Sequence, residues 1–445
     1  MRILDRKIPL ILLVGDIACF FVALWLMLSI RYQLLPRIEV FLEHLVPFSF
    51  LFILWVGVFF ISGLYEKRSV VFKKKLPGII LQTQTVNSII AAIFFYFVPI
   101  FGISPKTNLF LYLFISLVLV YVWRAHGYYF FGGRKQESAV LIGSGEEMHE
   151  LKNEVSGNSY YNLTFVSSVD LDVVSADFFR KEILPLVEQG SVSSLVVDIH
   201  NKKVEPLLPE LYSLIFSNVR FFEMHKVYED VFSKVPLSLV RYNWFLENIP
   251  TAPKVMYDIL KRAMDLVIAS ILFVPSLVVY PFVACAIKIE DRGPVFFTQE
   301  RVGKNNVRIR VHKFRSMSVS SADGSPQKIT RIGAILRKTR IDELPQLINV
   351  FRGDLSLIGP RPEMPKYVQV YEEEIPFYNI RHTIKPGLSG WAQLYQKDPP
   401  KFETGFSQTK NKLAFDLFYI KNRSFLLDVT IALKTLKELF LRRGV

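Results

Sequence analysis

The sequence predicts a membrane protein of mixed α and α/β class. Four transmembrane helices come first, then an α/β domain with a parallel sheet, then a segment that opens on one more membrane-embedded helix. Three observations carry this. The 445-residue chain is 51% hydrophobic with only 21% charged residues, and its mean hydropathy of +0.29 is too high for an ordinary soluble enzyme. Its apolar residues gather into five long runs. Between the fourth and fifth runs, short apolar strands alternate with helix-like stretches, the pattern of a parallel sheet. The expected domains are residues 1–135, 136–250 and 251–445. Two cysteines exclude a disulfide scaffold and a cysteine-rich metal site. High hydrophobicity excludes bulk disorder.

The first four runs are Ile8–Ile30, His44–Tyr65, Ile79–Gly102 and Asn108–Trp123. Three approach the roughly 20 residues that a bilayer core requires, and the last is short. Asp16 lies within the first run and is expected to face a neighbouring helix rather than lipid. No small-residue cleavage site follows that run, which reads as a retained span. Lys/Arg counts in the N-terminus, the three loops and the segment past the fourth run are 3, 2, 5, 1 and 3. Positive charge marks the inner side. The series therefore places the N-terminus and the bulk of the chain in the cytoplasm, on a multi-pass membrane protein.

In the middle segment, Ala139–Ile142, Leu163–Val169, Ser194–Ile199 and Val219–Phe222 read as strands. Helical spacing follows Gly145 and recurs over Ser175–Glu188 and Pro206–Phe216. This alternation is Rossmann-like. The turn Gly143-Ser144-Gly145 is a partial match to a dinucleotide fingerprint, but Met148 stands where a third small residue belongs. Glu146 and Glu147 follow and would repel a pyrophosphate. A strand-to-helix turn needing small residues is the favoured reading, and catalysis is not expected here.

Met264–Ile287 is the fifth apolar run. Lys254, Lys261 and Arg262 precede it, and Lys288, Arg292, Arg301 and Lys304 follow, so neither flank is favoured for export. Pro275 and Pro281 each remove an intrahelical hydrogen bond. A helix that enters the membrane, bends around Pro275, Ser276 and Pro281, and leaves on the same side is expected; a kinked span is the alternative.

Charge concentrates after this point. Residues 254–445 hold 31 Lys/Arg and 18 Asp/Glu, a net of +13 out of the chain's +14. These cations are interleaved with Gly and Pro, which argues for discrete anion sites over a nucleic-acid tail. Arg337, Lys338 and Arg340 lie on a short basic helix, and Asp342 follows as a candidate N-cap, with Pro345 tolerated in the first turn. An ionised Asp342 is a competent nucleophile toward phosphorus. Glu343 beside it is suited to share Mg²⁺ with a phosphate. By itself, Asp-Glu-Leu-Pro is most often only a helix start. Arg361, set in the rigid Gly359-Pro360-Arg361-Pro362 loop, is suited to grip a phosphate by two hydrogen bonds. Strand alternation places Lys313 and Arg315 on one face and Phe314 in the core. A surface turn and a solvated strand face are the respective alternatives. Lys421, Arg423 and Leu426–Leu441 suggest an amphipathic helix on lipid headgroups.

Together these stretches resemble the bacterial sugar transferases, the polyprenyl-phosphate phosphoglycosyl transferases with a re-entrant membrane helix. The matching residues are Lys261-Arg262 and Asp265; Gly293–Phe297, Gln299 and Arg301–Gly303; Lys313–Met317; Arg331, Gly333, Leu336 and Arg337; Asp342–Gln346; Gly353–Ser356 and Gly359–Pro362; Lys385–Gly387 and Gly390–Gln393; and Asp416, Tyr419 and Asp428. The four spans and the α/β segment resemble the long forms that start O-antigen, capsule or exopolysaccharide synthesis. The family's bent helix commonly has Ser-Pro at its break, whereas here the order is Pro275-Ser276. The resemblance implies a mostly helical catalytic domain and a ping-pong transfer. The aspartate matching Asp342 attacks a UDP-sugar, UMP leaves, and the phosphosugar passes to polyprenyl (undecaprenyl) phosphate. It further implies that Glu343 holds Mg²⁺, and that Lys313, Arg315, Arg337, Gln346, Arg361 and Pro362 bind phosphate or substrate. A rival reading is a non-enzymatic membrane scaffold or nucleotide sensor acting through the α/β domain. A homodimer is expected from size and spare domains, with membrane lipid as a partner and no nucleic acid.

Overall fold

The computed structural model describes residues 7–33, 35–65, 76–98, 105–132, 136–156, 158, 161, 163–172, 179–217, 219–249, 254–318, 328–396 and 405–440. They form two compact units, residues 1–230 and 231–445. Several loop residues used to orient the chain, Lys67, Arg68, Lys73, Lys74, Lys75 and Lys135 among them, lie outside the described residues.

The first unit opens with α1 (Lys7–Tyr32), α2 (Ile38–Ile61), α3 (Leu76–Phe97) and α4 (Pro105–Gly132). A helix of this length spans about 33–42 Å at 1.5 Å per residue, enough for a bilayer core. The four helices are apolar outside as well as inside. Phe20, Phe48, Trp55, Phe59 and Tyr112 fill the centre, while Leu10, Ile53 and Phe110 point outward. A soluble bundle would carry a polar outer face. Asp16 is fully buried and pairs with Arg124, as its place in an apolar run requires. Tyr65 donates to Asp16 Oδ2 at 2.8 Å, and Arg124 donates to the Leu64 carbonyl at 2.6 Å. Removing one buried partner strands the other charge, which in soluble proteins costs roughly 3–5 kcal/mol. Asp16→Asn and Arg124→Gln are each expected to lower the thermal midpoint of the detergent-solubilised protein. The double variant should lie closer to the unsubstituted protein than either single, and a double as unstable as the sum would overturn the pairing.

The α/β part follows as β1 (Glu137–Gly143), α5 (Glu146–Val155), β2 (Leu163–Asp170), α6 (Leu184–Glu188), β3 (Ser194–Val197), α7 (Leu208–Ser213), β4 (Arg220–Glu223) and α8 (Met224–Phe232). The strands run parallel in the order β2-β1-β3-β4, as the alternation predicts. Gly145 has φ +87 and ψ −179, a conformation open essentially to glycine alone. Glu146 and Glu147 occupy the first turn of α5, where carboxylates complement the helix dipole. The Gly-Ser-Gly turn is thus already matched by its own acids.

The second unit begins twenty residues earlier than the sequence boundary at 250 suggests. Its core includes Val235, Val240, Trp244 and Phe245, the last two on α9 (Tyr242–Asn248). Trp391 Nε1 donates to the Ser233 carbonyl at 2.9 Å, and Val235 N to the Ala414 carbonyl at 3.0 Å.

The fifth apolar run is α10 (Val255–Asp291), one continuous helix with Pro275 and Pro281 inside it. Five helices of the described residues, α10 included, are long and apolar enough to cross a membrane. Ser276 donates to the Phe273 carbonyl at 2.6 Å beside the first proline. Both ends of α10 are fastened to the same unit. Near its start, Lys261 Nζ donates to the Ile358 carbonyl at 2.9 Å and to Asp428 Oδ2 at 3.1 Å. Arg262 donates to the Val350 and Phe351 carbonyls. At its far end, Asp291 pairs with Arg315, and Glu290 accepts from the amides of Arg331 and Ile332. Midway, Phe273 meets Phe351 and Tyr280 meets Phe314. Met256, Ile259, Val267, Ile271, Val274, Val278 and Phe282 remain bare on α10.

Beyond α10 come the antiparallel strands β5 (Phe296–Val302) and β6 (Arg308–Phe314), then α11 (Arg331–Thr339), α12 (Leu347–Arg352), β7 (Ser356–Ile358) and α13 (Pro365–Glu374). The chain closes with β8 (Gly387–Ser389), parallel to β7, followed by α14 (Trp391–Tyr395), α15 (Phe406–Asn422) and α16 (Phe425–Phe440). A helix, α16, is present over the stretch expected at Leu426–Leu441, with Leu426 exposed, and Leu441 lies outside the described residues. Trp391 and Tyr419 are both core residues.

Candidate active site

Helix α11 starts on Thr330, whose hydroxyl accepts from the Gly333 amide at 2.9 Å, and stops where Arg340 turns left-handed with φ 56. A 3-10 turn, Ile341–Gln346, follows and presents Asp342 and Glu343. Asp342 is therefore not the helix cap that the sequence suggests. It sits within the turn, only 7% exposed, with no hydrogen bond from the described residues. β6 supplies Lys313, and the loop after β7 supplies Arg361.

These four side chains converge. Arg361 Nη2 donates to Glu343 Oε1 at 2.9 Å, Lys313 Nζ stands 3.5 Å from the same oxygen, and Arg340 Nη1 lies 3.8 Å from Oε2. Burial pushes the Glu343 carboxyl up, but Arg361, Lys313 and Arg340 together outweigh it and hold it at about 2. Asp342 moves the other way. Burial raises it first and the Glu343 charge raises it further, with Lys313, Arg337 and Arg361 offsetting only part. Burial also lowers Lys313, against the pull of Glu343. Two adjacent carboxylates driven apart in this way are suited to different tasks, Glu343 as a standing anion and Asp342 as the more basic carboxylate.

The remaining predicted residues divide. Arg337 is exposed on the last turn of α11 and acts on Asp342 through its field. Gln346 is buried, and its Nε2 has no hydrogen-bond partner among the described residues. Pro362 contributes its carbonyl to Arg301 Nη1 at 3.2 Å. Arg315 lies just past the end of β6, and its guanidinium pairs with Asp291 at the end of α10. Sequence reading missed Glu363 and Lys412, which pair with each other, and gave no role to Arg381, which reaches the Arg361 carbonyl at 3.0 Å. The available signal was the carboxylate adjoining Arg361-Pro362; its cations are too distant in sequence to be read as partners.

No group of three or more His, Cys, Asp or Glu side chains among the described residues is arranged to hold a metal. The donors on offer are the Asp342 and Glu343 carboxylates. Mg²⁺ commonly binds through one or two carboxylates plus substrate phosphates, so this donor set fits Mg²⁺ when a phosphate ligand completes it.

Comparison with known proteins agrees with the resemblance. The family model for bacterial sugar transferase matches residues 256–442. The UDP-N-acetylgalactosamine-undecaprenyl-phosphate N-acetylgalactosaminephosphotransferase of Aeromonas hydrophila is 39% identical over 233 residues, covering 50% of this chain and 53% of that protein. The UDP-glucose:undecaprenyl-phosphate glucose-1-phosphate transferase of Escherichia coli (strain K12) is 34% identical, covering 45% of each chain. The match thus spans about half the length of these two relatives. An exopolysaccharide production protein of Rhizobium leguminosarum bv. phaseoli is 40% identical over 191 residues, which are 40% of this chain but 93% of that protein. With 93% of that 40%-identical relative covered and the family model matching residues 256–442, the chain belongs to the bacterial sugar transferase family.

Proposed function

We propose that this chain transfers a phosphosugar from a UDP-sugar to polyprenyl (undecaprenyl) phosphate on the cytoplasmic face of the bacterial inner membrane, as the first step of a surface glycan. The observation that carries this is the paired carboxylate centre, with Asp342 raised and Glu343 held anionic amid Lys313, Arg340 and Arg361. The relatives named for undecaprenyl-phosphate phosphotransfer support the donor and acceptor classes.

The reaction proceeds in two displacements. An Asp342 carboxylate oxygen bonds to the sugar-bearing phosphorus, the bond from that phosphorus to the bridging oxygen breaks, and UMP leaves with the electron pair. A phosphate oxygen of the polyprenyl phosphate then bonds to the same phosphorus. The acyl-phosphate bond breaks, and Asp342 returns to its carboxylate. Lys313 and Arg361 face the charge on the non-bridging oxygens throughout. Glu343 would hold Mg²⁺, which would supply further charge neutralisation when bound.

Membrane re-entry of α10 is part of this reading. A 37-residue helix is about 55 Å long. Both its ends are bonded to one unit, so a full crossing would tear it from partners at one end. Its bare apolar residues supply a surface for the inner leaflet. A homodimer built on the first unit, which the chemistry leaves unused, belongs to the same proposal.

The test is UMP release from a panel of UDP-sugars by membranes carrying the full chain, with undecaprenyl phosphate and Mg²⁺. Release with at least one sugar, lost on chelation of the metal, is expected. Absence of release across the panel would overturn the proposal.

A further inference from the structure

The loop that carries Arg361 has almost no means of holding itself. Pro360 and Pro362 lack N–H groups. Yet four successive carbonyls of this loop accept hydrogen bonds from elsewhere in the unit. Pro360 O accepts from Gly387 N at 2.9 Å, Arg361 O from Arg381 Nη2 at 3.0 Å, Pro362 O from Arg301 Nη1 at 3.2 Å, and Glu363 O from Val302 N at 2.9 Å. The close approach at the loop's root needs glycine, since a Cβ on Gly387 would lie 2.1 Å from Gly359 N.

Two of the four donors are guanidinium groups fixed by a buried charge network. The Arg381 side chain is 1% exposed. Its Nε and Nη2 donate to Asp416 Oδ2 at 3.1 and 2.8 Å, and its Nη1 donates to Tyr378 Oη at 2.6 Å. Glu363 pairs with Lys412 from α15 and lies 3.9 Å from both Arg301 and Arg381. Buried ion pairs contribute little net stability compared with a well-packed apolar core. A cluster of five such charges behind one loop is better explained by what the loop must hold in place. That is the Arg361 guanidinium, 36% exposed, whose side-chain hydrogen bond goes to Glu343.

We propose that Arg381, Glu363 and Lys412 are positioning residues for the transfer reaction, acting through Arg361 by clamping the backbone of its loop. The proposal rests on the function proposed above and adds to it three residues that touch no reacting atom.

The full chain in membranes or nanodiscs tests it with Lys412→Met, Arg381→Lys and Arg361→Ala. Lys412→Met and Arg381→Lys are each expected to lower kcat/KM for UMP release by about tenfold or more. Lys412→Arg, which keeps the charge, should recover most of that loss. When Arg361 is already alanine, adding Lys412→Met should change the rate by no more than about twofold, because the two act through one group. Multiplying losses would overturn the proposal. Amide hydrogen exchange over residues 358–364 gives a readout independent of turnover. It should quicken by about tenfold or more in Lys412→Met, with little change over α13. Unchanged exchange in that loop would overturn the clamp even if rates fell. If the unsubstituted protein releases no UMP, the functional proposal fails while the exchange result still decides the clamp. If Arg381→Lys does not fold, Lys412→Met carries both measurements.

Discussion

Asp342→Asn is expected to abolish UMP release and, in the same protein, to raise thermal stability at neutral pH. The loss follows from chemistry. An amide is a poor nucleophile toward phosphorus, and no second free carboxylate stands in the turn, because Glu343 is held by three cations. A fall of about 10³-fold or more is expected, with no sugar label retained on acid-quenched protein. The gain follows from linkage. Burial and Glu343 raise the Asp342 carboxyl in the folded state, so folding disfavours its ionised form. That cost is present above the folded pKa and vanishes as pH falls below the unfolded value. The asparagine variant should therefore melt higher than the unsubstituted protein near pH 7, and the advantage should close toward pH 4. A variant that melts lower at neutral pH would sink the electrostatic part of the account. One that still releases UMP would sink the nucleophile assignment.

Glu343→Gln is expected to fail in the opposite thermodynamic sense. Its folded pKa of about 2 lies below the usual 4.5. The stabilisation it brings is fully present above the unfolded pKa and is lost as pH falls from there through about 2. The shift corresponds to at most about 3 kcal/mol. Arg361 keeps a third of its surface in water, which screens the pair, so about 1–2 kcal/mol is the realistic loss. The glutamine variant should melt lower at pH 7, with the difference shrinking as the buffer is made acidic. It should also leave Lys313, Arg340 and Arg361 without their common anion, and turnover should drop by about 10²-fold or more. A neutral melting point at pH 7 would refute the charge balance drawn for this site.

The two variants thus lose activity together but part in stability, which separates a damaged fold from a damaged reaction. Simple unfolding would move both melting points downward.

Much of the fold was legible because membrane spans and parallel strands announce themselves locally. Runs of apolar residues fix α1 to α4, and the short apolar runs Ala139–Ile142 and Ser194–Ile199, set between turn and helix signals, fall on buried strands, the second ending at Val197. Asp342, Glu343, Lys313 and Arg361 were singled out only when their short motifs were taken together, each being ambiguous alone, and the structure brings Lys313 and Arg361 to Glu343, beside Asp342. What was not legible depends on long-range pairing. Nothing near residues 231–250 says that Trp244 and Phe245 pack with the last unit rather than the α/β segment. Lys313 and Arg315 share a strand face in principle, yet the strand ends at Phe314 and Asp291 captures Arg315. Lys412 lies 49 residues from its partner Glu363 and reads in sequence as one more surface lysine. Asp342 looked like a cap because carboxylates commonly are caps; the left-handed Arg340 instead diverts the chain into a 3-10 turn.

The fastening of α10 has a bearing on how the chain is made. The polar groups on its first turns find partners only much later in the sequence: Arg262 waits for Val350, 88 residues on, and Lys261 for Asp428, 167 residues on. At a translation rate of about 5–20 residues per second, the second interval takes roughly 10–30 s. During that time the start of α10 is only partly fastened, first by Val350 and Ile358. The ribosome therefore releases α10 well before the residues that fasten its first turns.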